Sequence, residues 1–362
     1  MAADMTARRH PSQPVVAAAL VLAGLLAAGC SSQSTLSSAP ATDSDLPATG
    51  VSTDDGGTTT TTVDPGEGEG EGDEPEEPDG PEAEGLSPAS VDALALPDSA
   101  VDLAPALSEA EAELRRDGAA DPDQQALTSA WGRRQQLLYR VLAAHPDWAD
   151  QVVAEVDPEI APAVEANWAA QTELTALVRT YTLSPTVPAW RIIEPDPADE
   201  LLGYYQDASD VTGVPWETLA AIHLIETRMG RIEGVSTAGA VGPMQFLPAT
   251  WEECCEGDPT VTADAIQGAA TYLVRRGAPD DMDRALKGYN TSDHYVAAVK
   301  QYASVMTADP ETYHAYHAWE VHFLSSAGLI HLPVGYEQAE PVDAAVWAAD
   351  HPDDLLPQPP PS

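Results

Sequence analysis

Across residues 101–330, apolar and polar positions alternate mostly with the period of a helix, and almost no stretch shows the period of two that is typical of a strand. Residues 127–144 carry their apolar side chains at helical spacing, and after Pro146 and Pro158 the pattern resumes over residues 160–183 as one or two helices. Residues 97–195 thus form a predicted helical region. It contains no recognisable catalytic constellation, so we expect packing or partner contact there.

A second helical block covers residues 196–335. Helices are predicted over residues 201–211, 216–229, 263–276 and 293–306. Gly213 and Gly230 follow two of them as stop signals, while Thr262 and Ser292 precede the other two as N-caps. About six helices in about 130 residues are enough to bury a core, so the predicted fold class is all-α.

The first thirty residues have the pattern of a targeting segment. Arg8 and Arg9 precede an apolar run over residues 15–28, which is too short to span a membrane. The sequence that ends at Cys30 resembles a bacterial lipobox, in which the cysteine is acylated and becomes the mature N-terminus. The chain would then be held to a membrane by its N-terminal lipid. The alternative is an ordinary secretory signal with an incidental cysteine.

Residues 31–96 form a predicted disordered acidic tether. Gly, Pro, Thr and acidic residues dominate it, and no Lys or Arg occurs from Gln33 to Leu96. Such a segment buries too little apolar surface to offset its ordering entropy. An interaction tail is the alternative role. Residues 336–362 are the predicted C-terminal tail, and the proline-rich residues 351–362 are expected to be disordered.

The formal net charge is −43, and Lys287 and Lys300 are the only lysines. So strong a negative balance argues against nucleic acid or an anionic lipid surface as a ligand. The alanine-rich, lysine-poor composition is typical of a high-GC bacterium such as an actinomycete.

Besides Cys30 the chain has only Cys254 and Cys255, which are adjacent. They form a free pair, a vicinal disulfide or an intermolecular link, and the sequence leaves these alternatives open. Two neighbouring thiols without further ligands do not indicate a metal site, and no cofactor is predicted.

One carboxylate, Glu226, lies on the apolar face of the helix over residues 216–229. It shares that face with Leu219 and Ile222, at i, i+3 and i+7. Burial and the negative end of the helix dipole are both expected to raise the pKa of such an acid, which suits a general acid. The alternative is a glutamate neutralised by Arg228 or Arg231.

The loop over residues 236–245 follows, with small residues where the backbone must approach a neighbour closely and a single amide, Gln245. It forms either a tight turn between helices or one wall of a groove whose backbone groups and amide bind a polar substrate.

Taken in order, the segments ETRMGR, STAGAVGPMQFLPATW, AIQGAATYL and GYN resemble the motifs of lytic transglycosylases of the soluble and membrane-bound B types. The resemblance covers residues 197–335. It implies a goose-lysozyme-like, all-α domain that cleaves peptidoglycan between N-acetylmuramic acid and N-acetylglucosamine. The partners implied are glycan strands, and any cell-wall or divisome protein partner is not identified.

By position, the resemblance makes Glu226 the acid/base. It further implies that the substrate groove is lined by Ser236, Met244, Gln245, Tyr272, Tyr289, Asn290 and Tyr295. Structural alternatives stay open: Tyr272 and Tyr295 as core residues, and Tyr289 with Asn290 as a helix cap. The family's B branch can carry a calcium loop, but the segment GDPTVTADA is too short and too poor in ligands for one.

A glycosidase normally needs a second carboxylate, and these motifs contain none. Four nearby acids are expected to be exposed charges: Glu217, Glu233, Glu252 and Glu253. The resemblance therefore implies that the substrate's own C6 hydroxyl closes a 1,6-anhydro ring. A lysozyme-like hydrolase and a non-catalytic glycan-binding lipoprotein are the rival hypotheses.

Overall fold

The computed structural model describes residues 86–356. Predictions for the targeting segment, for Cys30, for residues 31–85 and for residues 357–362 lie outside this part of the chain. The helices of the described part are α1 (Pro88–Asp92), α2 (Ala100–Leu114), α3 (Gln125–Ala144), α4 (Ala149–Glu155), α5 (Ala161–Arg179), α6 (Ala198–Thr212), α7 (Trp216–Thr227), α8 (Pro248–Cys254), α9 (Thr262–Arg276), α10 (Met282–Tyr289), α11 (Asp293–Ala308), α12 (Thr312–His317) and α13 (Ala344–Asp350). The all-α prediction is confirmed. None of these helices is long and apolar enough to cross a bilayer.

Short antiparallel strands supplement the helices. They are β1 (Thr186–Val187), β2 (Arg191–Ile192), β3 (Ile232–Glu233), β4 (Val321–Ser325), β5 (Gly328–Leu332), β6 (Val342–Asp343) and β7 (Leu355–Leu356). β1 pairs with β6, β2 with β3, and β5 with both β4 and β7. The β4–β5 hairpin corrects the expectation of helix throughout residues 101–330. Its turn is closed by Ser325, whose Oγ donates to the Gly328 carbonyl and accepts from the Ala327 N–H.

Helix α7 lies at the centre of the core. All residues from Thr218 to Thr227 are buried, so the helix is enclosed on every side, as its apolar sequence requires. Helices α6, α9 and α11 pack around it. The predicted glycine stop after α6 is confirmed, because Gly213 adopts φ = 75° there. Ser292 caps α11 as expected, whereas Thr262 is the first residue of α9 and not its cap.

The N-terminal helices share this core. Helix α5 lies along α11, and Gln171 Nε2 donates to the Tyr302 hydroxyl at 2.9 Å. Asn167 accepts a 2.6 Å hydrogen bond from Tyr316 of α12. Buried hydrogen bonds between residues so far apart in sequence fix the two helical blocks to each other. The N-terminal region is therefore part of one folded body with the segment that carries Glu226.

Both predicted boundaries of the folded part need correction. Helix α1 lies inside the segment predicted as tether, where Val91 is fully buried and Arg134 donates to the carbonyls of Leu94 and Ala95. The folded part therefore begins before the expected boundary at Leu96. At the other end, β6, α13 and β7 lie in the predicted tail, and the pairing of β7 with β5 keeps the chain folded to Leu356.

Cys254 and Cys255 form a disulfide with each other at the end of α8. Of the three alternatives that the sequence left open, the vicinal bridge is therefore the one observed. Cys254 is buried against the main core.

Candidate active site

Glu226 lies in the last turn of α7 and is 2% exposed. The helix ends one residue later, at Thr227, and not at Met229 as predicted. Arg228, Met229 and Gly230 then follow in the left-handed region, with φ of 56°, 59° and 88°. Two non-glycine residues in this conformation cost about 1–2 kcal/mol each. The surrounding contacts must hold the chain in this sharp turn directly after the acid.

Thr227 is one such contact, and the sequence analysis missed it. Its Oγ1 donates to the Pro243 carbonyl at 2.6 Å and accepts from the Gly230 N–H at 3.1 Å. One hydroxyl thus joins the turn after Glu226 to the glycine-rich loop. A threonine directly after a buried acid was the available signal, because its hydroxyl can hydrogen-bond nearby backbone groups.

The loop is closed by a short antiparallel pair. Val241 and Phe246 exchange backbone hydrogen bonds of 2.9 and 3.0 Å, and Gly242 to Gln245 form the turn between them. Ser236, a predicted groove residue, accepts from the Ala240 N–H through its Oγ at 2.9 Å. The described contact of this hydroxyl is therefore within the loop, which it braces.

Gln245 is 6% exposed and has φ = 50°. Its Nε2 donates to the Gly242 carbonyl at 2.8 Å, which fixes the amide plane. Its Oε1 is buried and has no hydrogen-bond partner within residues 86–356. A buried acceptor without a partner is unfavourable, so a ligand or water that donates to this oxygen would stabilise the turn.

Tyr295 contacts the candidate acid directly. Its hydroxyl donates to Glu226 Oε1 at 2.7 Å, and its side chain is fully buried. Tyr295 lies in the first turn of α11, where Ser292 caps the helix and Asn290 Oδ1 accepts from the Ser292 N–H at 2.9 Å. Asn290, also a predicted groove residue, therefore helps to position the helix that carries Tyr295.

Tyr289 connects α10 to the glycine-rich loop. Its hydroxyl donates to the Met244 carbonyl at 2.6 Å, and the Met244 side chain is fully buried. The Tyr289 ring packs edge to face against Phe246 and Tyr272. Tyr272 donates its own hydroxyl to the Gly288 carbonyl at 2.8 Å and is 5% exposed. These contacts of Tyr272 are those of a core residue, which was the structural alternative to its predicted role in the groove.

The electrostatics keep both tyrosines next to Glu226 in the protonated form. Burial raises the pKa of Tyr289 and of Tyr295 well above the usual value, and the charge of Glu226 raises it further. Both phenols are therefore hydrogen-bond donors over the whole physiological pH range.

The two arginines proposed as alternative partners of Glu226 have contacts elsewhere. Arg231 donates to the carbonyls of Trp319 and His317 and to Glu194. Arg228 donates to the Leu224 carbonyl and lies over the Trp319 ring. These contacts direct both guanidinium groups to the Trp319 region.

A cleft of 440 Å³ adjoins the same loop. Its lining residues are Ile193, Asp196, Gly230, Ile232, Glu233, Gly234, Val235, Val241, Gly242, Pro243, Thr260 and Thr262. The cleft shares Gly242 and Pro243 with the loop that holds Gln245, but the Glu226 side chain is not part of its lining. Of the four acids expected to be exposed, Glu233, Glu252 and Glu253 are exposed and Glu217 is partly buried.

Replacing Tyr295 by Phe removes the hydroxyl that donates to Glu226. We expect kcat to fall about 10- to 100-fold, since a hydrogen bond to a charged group contributes about 1.5–3 kcal/mol. KM should stay nearly constant, because the hydroxyl contacts the acid. Steady-state kinetics measure both constants. Tyr302→Phe is the matched control, two turns further along α11, and an equal loss of kcat there would contradict the positioning role of Tyr295.

Histidines around α7 make stability depend on pH. Burial lowers the pKa of His223 to about 3 and that of His317 to about 4. The His223 ring lies on α7, and its Nδ1 is 2.6 Å from the Tyr205 hydroxyl. In the unfolded chain a histidine has a pKa of about 6.5. Below that pH the unfolded state binds protons that the folded state does not, so acid favours unfolding.

We therefore expect the free energy of unfolding to fall as pH falls from about 6.5 towards 4, by up to about 1.4 kcal/mol per pH unit for each histidine. Urea titrations between about pH 7 and pH 5, where most carboxylates stay ionised, measure this slope. The variant His317→Gln keeps a donor for the Asp196 carbonyl, which His317 Nε2 contacts at 2.9 Å. It should lose one histidine's share of the slope, and an undiminished slope would show that His317 does not contribute.

The fold and the site together define a class: an all-α domain with a buried glutamate at the end of its central helix. The chain is similar to membrane-bound lytic murein transglycosylase F of Thiobacillus denitrificans, with 26% identity over 127 residues. The match covers 33% of this chain and 27% of that protein, so this chain spans about a quarter of its relative's length. No family model matches the chain. No solved structure matches it significantly.

Proposed function

We propose that this protein is a lytic transglycosylase that cleaves peptidoglycan between N-acetylmuramic acid and N-acetylglucosamine and leaves 1,6-anhydromuramyl ends. The observation that carries the proposal is the buried Glu226, whose Oε1 accepts a 2.7 Å hydrogen bond from the Tyr295 hydroxyl. The glycine-rich loop, joined to the same turn by Thr227, supports it as well. The name of the distant relative and the order of the sequence motifs favour the same chemistry.

In the first step, Glu226 donates its proton to the glycosidic oxygen. The bond between that oxygen and C1 of the muramic residue breaks, and the N-acetylglucosamine side leaves as an alcohol. The carbonyl oxygen of the muramic N-acetyl group supports the positive charge that develops at C1. Glu226 is then a carboxylate, which the Tyr295 hydroxyl stabilises by donating to Oε1.

In the second step, the C6 hydroxyl oxygen of the same muramic residue forms a bond to C1. Its proton passes to Glu226, which returns to its starting form, and no water is consumed. Such a cycle needs one residue that is first an acid and then a base, which suits motifs that contain a single carboxylate, Glu226.

We propose that two amides bind the sugar. The free Oε1 of Gln245 would accept a hydrogen bond from an N-acetyl N–H or a sugar hydroxyl. Asn290, which is 2% exposed, would orient the N-acetyl group or stabilise developing charge. Ser236, Met244, Tyr272 and Tyr289 would contribute by shaping the loop and its support.

Mass spectrometry of peptidoglycan digested by the purified protein tests the proposal. Muramyl products that are one water lighter than their reducing counterparts are expected. Reducing muramyl ends would show instead that water attacks C1, as in a lysozyme-like hydrolase. Binding to peptidoglycan without any soluble product would favour the glycan-binding rival.

We also propose that the protein acts on the extracytoplasmic side of the membrane, anchored through a lipid on Cys30. The arginines and apolar run before Cys30 support this, as does the membrane-bound description of the relative. With random-coil dimensions, a tether of about sixty residues would give a root-mean-square reach of roughly 40–50 Å, so that the domain could contact the wall from the membrane.

A further inference from the structure

Arg140 and Arg228 lie close enough to repel each other, and within residues 86–356 neither forms an ion pair with a carboxylate. Arg140 belongs to α3, one turn beyond Gln136. The Gln136 amide bonds both backbone groups of Glu320, with its Nε2 donating to the carbonyl and its Oε1 accepting from the N–H at 2.9 Å each. This pairing aligns α3 with the start of β4. Burial lowers the pKa of the His322 ring there, and Arg140 is near enough for its charge to lower that pKa further.

Arg228 approaches the same place from the end of α7. Its Nη1 donates to the Leu224 carbonyl at 2.9 Å, and its guanidinium carbon lies 6.0 Å from the centre of the Trp319 ring. The other side of the cluster is formed by Tyr302, whose ring packs edge to face against Trp319 at 5.7 Å. Arg228 and His322 are each 3% exposed, whereas Arg140 is only partly buried.

Several donor atoms of this cluster are unused. The Nε atoms of Arg140 and Arg228 and the Nδ1 atom of His322 are buried and have no hydrogen-bond partner within residues 86–356. No ion pair in that part of the chain includes either arginine. Burial lowers the pKa of both arginines, and burial together with the charge of Arg228 lowers that of Arg140 to about 10. A guanidinium group nevertheless keeps its charge in proteins.

Two like charges at a buried site without a counter-charge destabilise the fold by roughly several kcal/mol. The chain has 59 acidic residues against 16 basic ones, so a carboxylate partner would have been easy to supply. Its absence from this cluster within residues 86–356 points to an anionic partner that comes from outside this part of the chain. Because Arg140 is partly exposed, that partner can enter from solvent.

We propose that Arg140, Arg228 and His322 form a binding site for a small oxyanion of the phosphate, sulfate or carboxylate class. Guanidinium groups match two oxygens of such an anion with two parallel N–H donors. His322, as a neutral ring with its hydrogen on Nδ1, supplies a further donor. The bound anion bridges α3, β4 and the turn after Glu226, and its binding does not depend on the proposed activity.

Thermal unfolding of the full-length chain tests this site. The probes are sodium phosphate, sodium sulfate and sodium acetate, each compared with sodium chloride at equal ionic strength. At concentrations far above Kd, the preferred anion should raise Tm by roughly 5 °C, with a saturating dependence on its concentration. A larger response to phosphate and sulfate assigns a tetrahedral anion, and a larger response to acetate assigns a carboxylate.

Arg140→Met removes one guanidinium and keeps an apolar stem. This variant should lose the anion response and unfold at a higher Tm than the parent chain in chloride, since the repulsion is gone. Arg284→Met, at an exposed arginine of α10, is the matched control and should keep the full response. If Arg140→Met does not fold, Arg140→Lys keeps the positive charge but lacks the two parallel N–H donors of the guanidinium group. Isothermal titration calorimetry with phosphate should then show about tenfold weaker binding.

Two results would overturn the proposal. One is a parent chain whose Tm depends on ionic strength alone, with the same value in all four salts. The other is an Arg140 variant that keeps the anion response of the parent chain. Neither result bears on peptidoglycan cleavage, so failure of this site and failure of the proposed function are distinguishable.

Discussion

Replacing Glu226 by Gln is expected to lower the rate of anhydromuramyl release about 10³-fold or more. The amide has nearly the same shape and can still accept the hydrogen bond from Tyr295, so the turn after α7 should stay intact. It cannot give a proton to the glycosidic oxygen or take one from the C6 hydroxyl. Both steps of the proposed cycle therefore lose their proton carrier, and product release measured by mass spectrometry should fall to background.

Glu217→Gln is the matched control for this experiment. It makes the same chemical change in the first turn of the same helix, and it should leave the rate unchanged. The Glu226 variant should also sediment with peptidoglycan sacculi as the parent chain does, which separates lost chemistry from lost binding. Full turnover by the Glu226 variant would place the acid elsewhere and contradict the mechanism.

Gly242→Ala is expected to have the largest structural effect on the site. A Cβ atom at this position would lie 1.8 Å from the Pro259 carbonyl oxygen and 2.7 Å from the carbon of that carbonyl. Backbone atoms cannot move aside as a side chain does, so the turn that holds Gln245 must shift. We expect most of the activity to be lost and Tm to fall by roughly several degrees.

Gly239→Ala provides the control for backbone conformation. Gly239 has φ = 85°, close to the 74° of Gly242, but a Cβ there would meet no atom within 4 Å. Both variants carry the strain of a left-handed alanine, about 1 kcal/mol, and only Gly242→Ala adds the collision with Pro259. The difference in Tm and in activity between the Gly242 and Gly239 variants measures the effect of the close approach of Gly242 to Pro259. Equal values would show that this approach does not matter.

Local signals predicted the helical framework well. The i, i+3, i+7 spacing placed Glu226 on a buried face, and the caps at Gly213 and Ser292 gave the correct ends of their helices. These features depend on residues within a few positions of one another, and such short-range patterns are what a single sequence records best.

Features that depend on distant residues were not predictable in the same way. The hydrogen bond from Tyr295 to Glu226 joins residues 69 positions apart, and only the family resemblance placed Tyr295 near the acid. The left-handed conformation of Arg228 and Met229 contradicts their intrinsic preference, so no propensity argument could end α7 at Thr227. Tertiary contacts such as that of Thr227 with Pro243 determine it.

The β4–β5 hairpin was missed for another reason. Its strands are short, and both faces are largely buried, so the polar alternation of a surface strand is weak. β7 adds to β5 from residues that sequence composition assigned to a disordered tail, because proline and acidic residues there outweigh two leucines.

A buried polar network around Glu111 links the N-terminal helices to the rest of the fold. This fully buried carboxylate of α2 is bonded by Arg115 and Tyr139 and, at 2.9 Å, by Gln135, whose Oε1 in turn accepts from Trp319 at 3.0 Å. The polar chain thus runs from the N-terminal helices to the segment after α12. In evolution, the segment that carries Glu226 could not be passed to another protein by recombination near residue 196. The inherited unit must also include the N-terminal helices, because a cut between the two would separate Gln135 from Trp319 and Arg115 from Asp309.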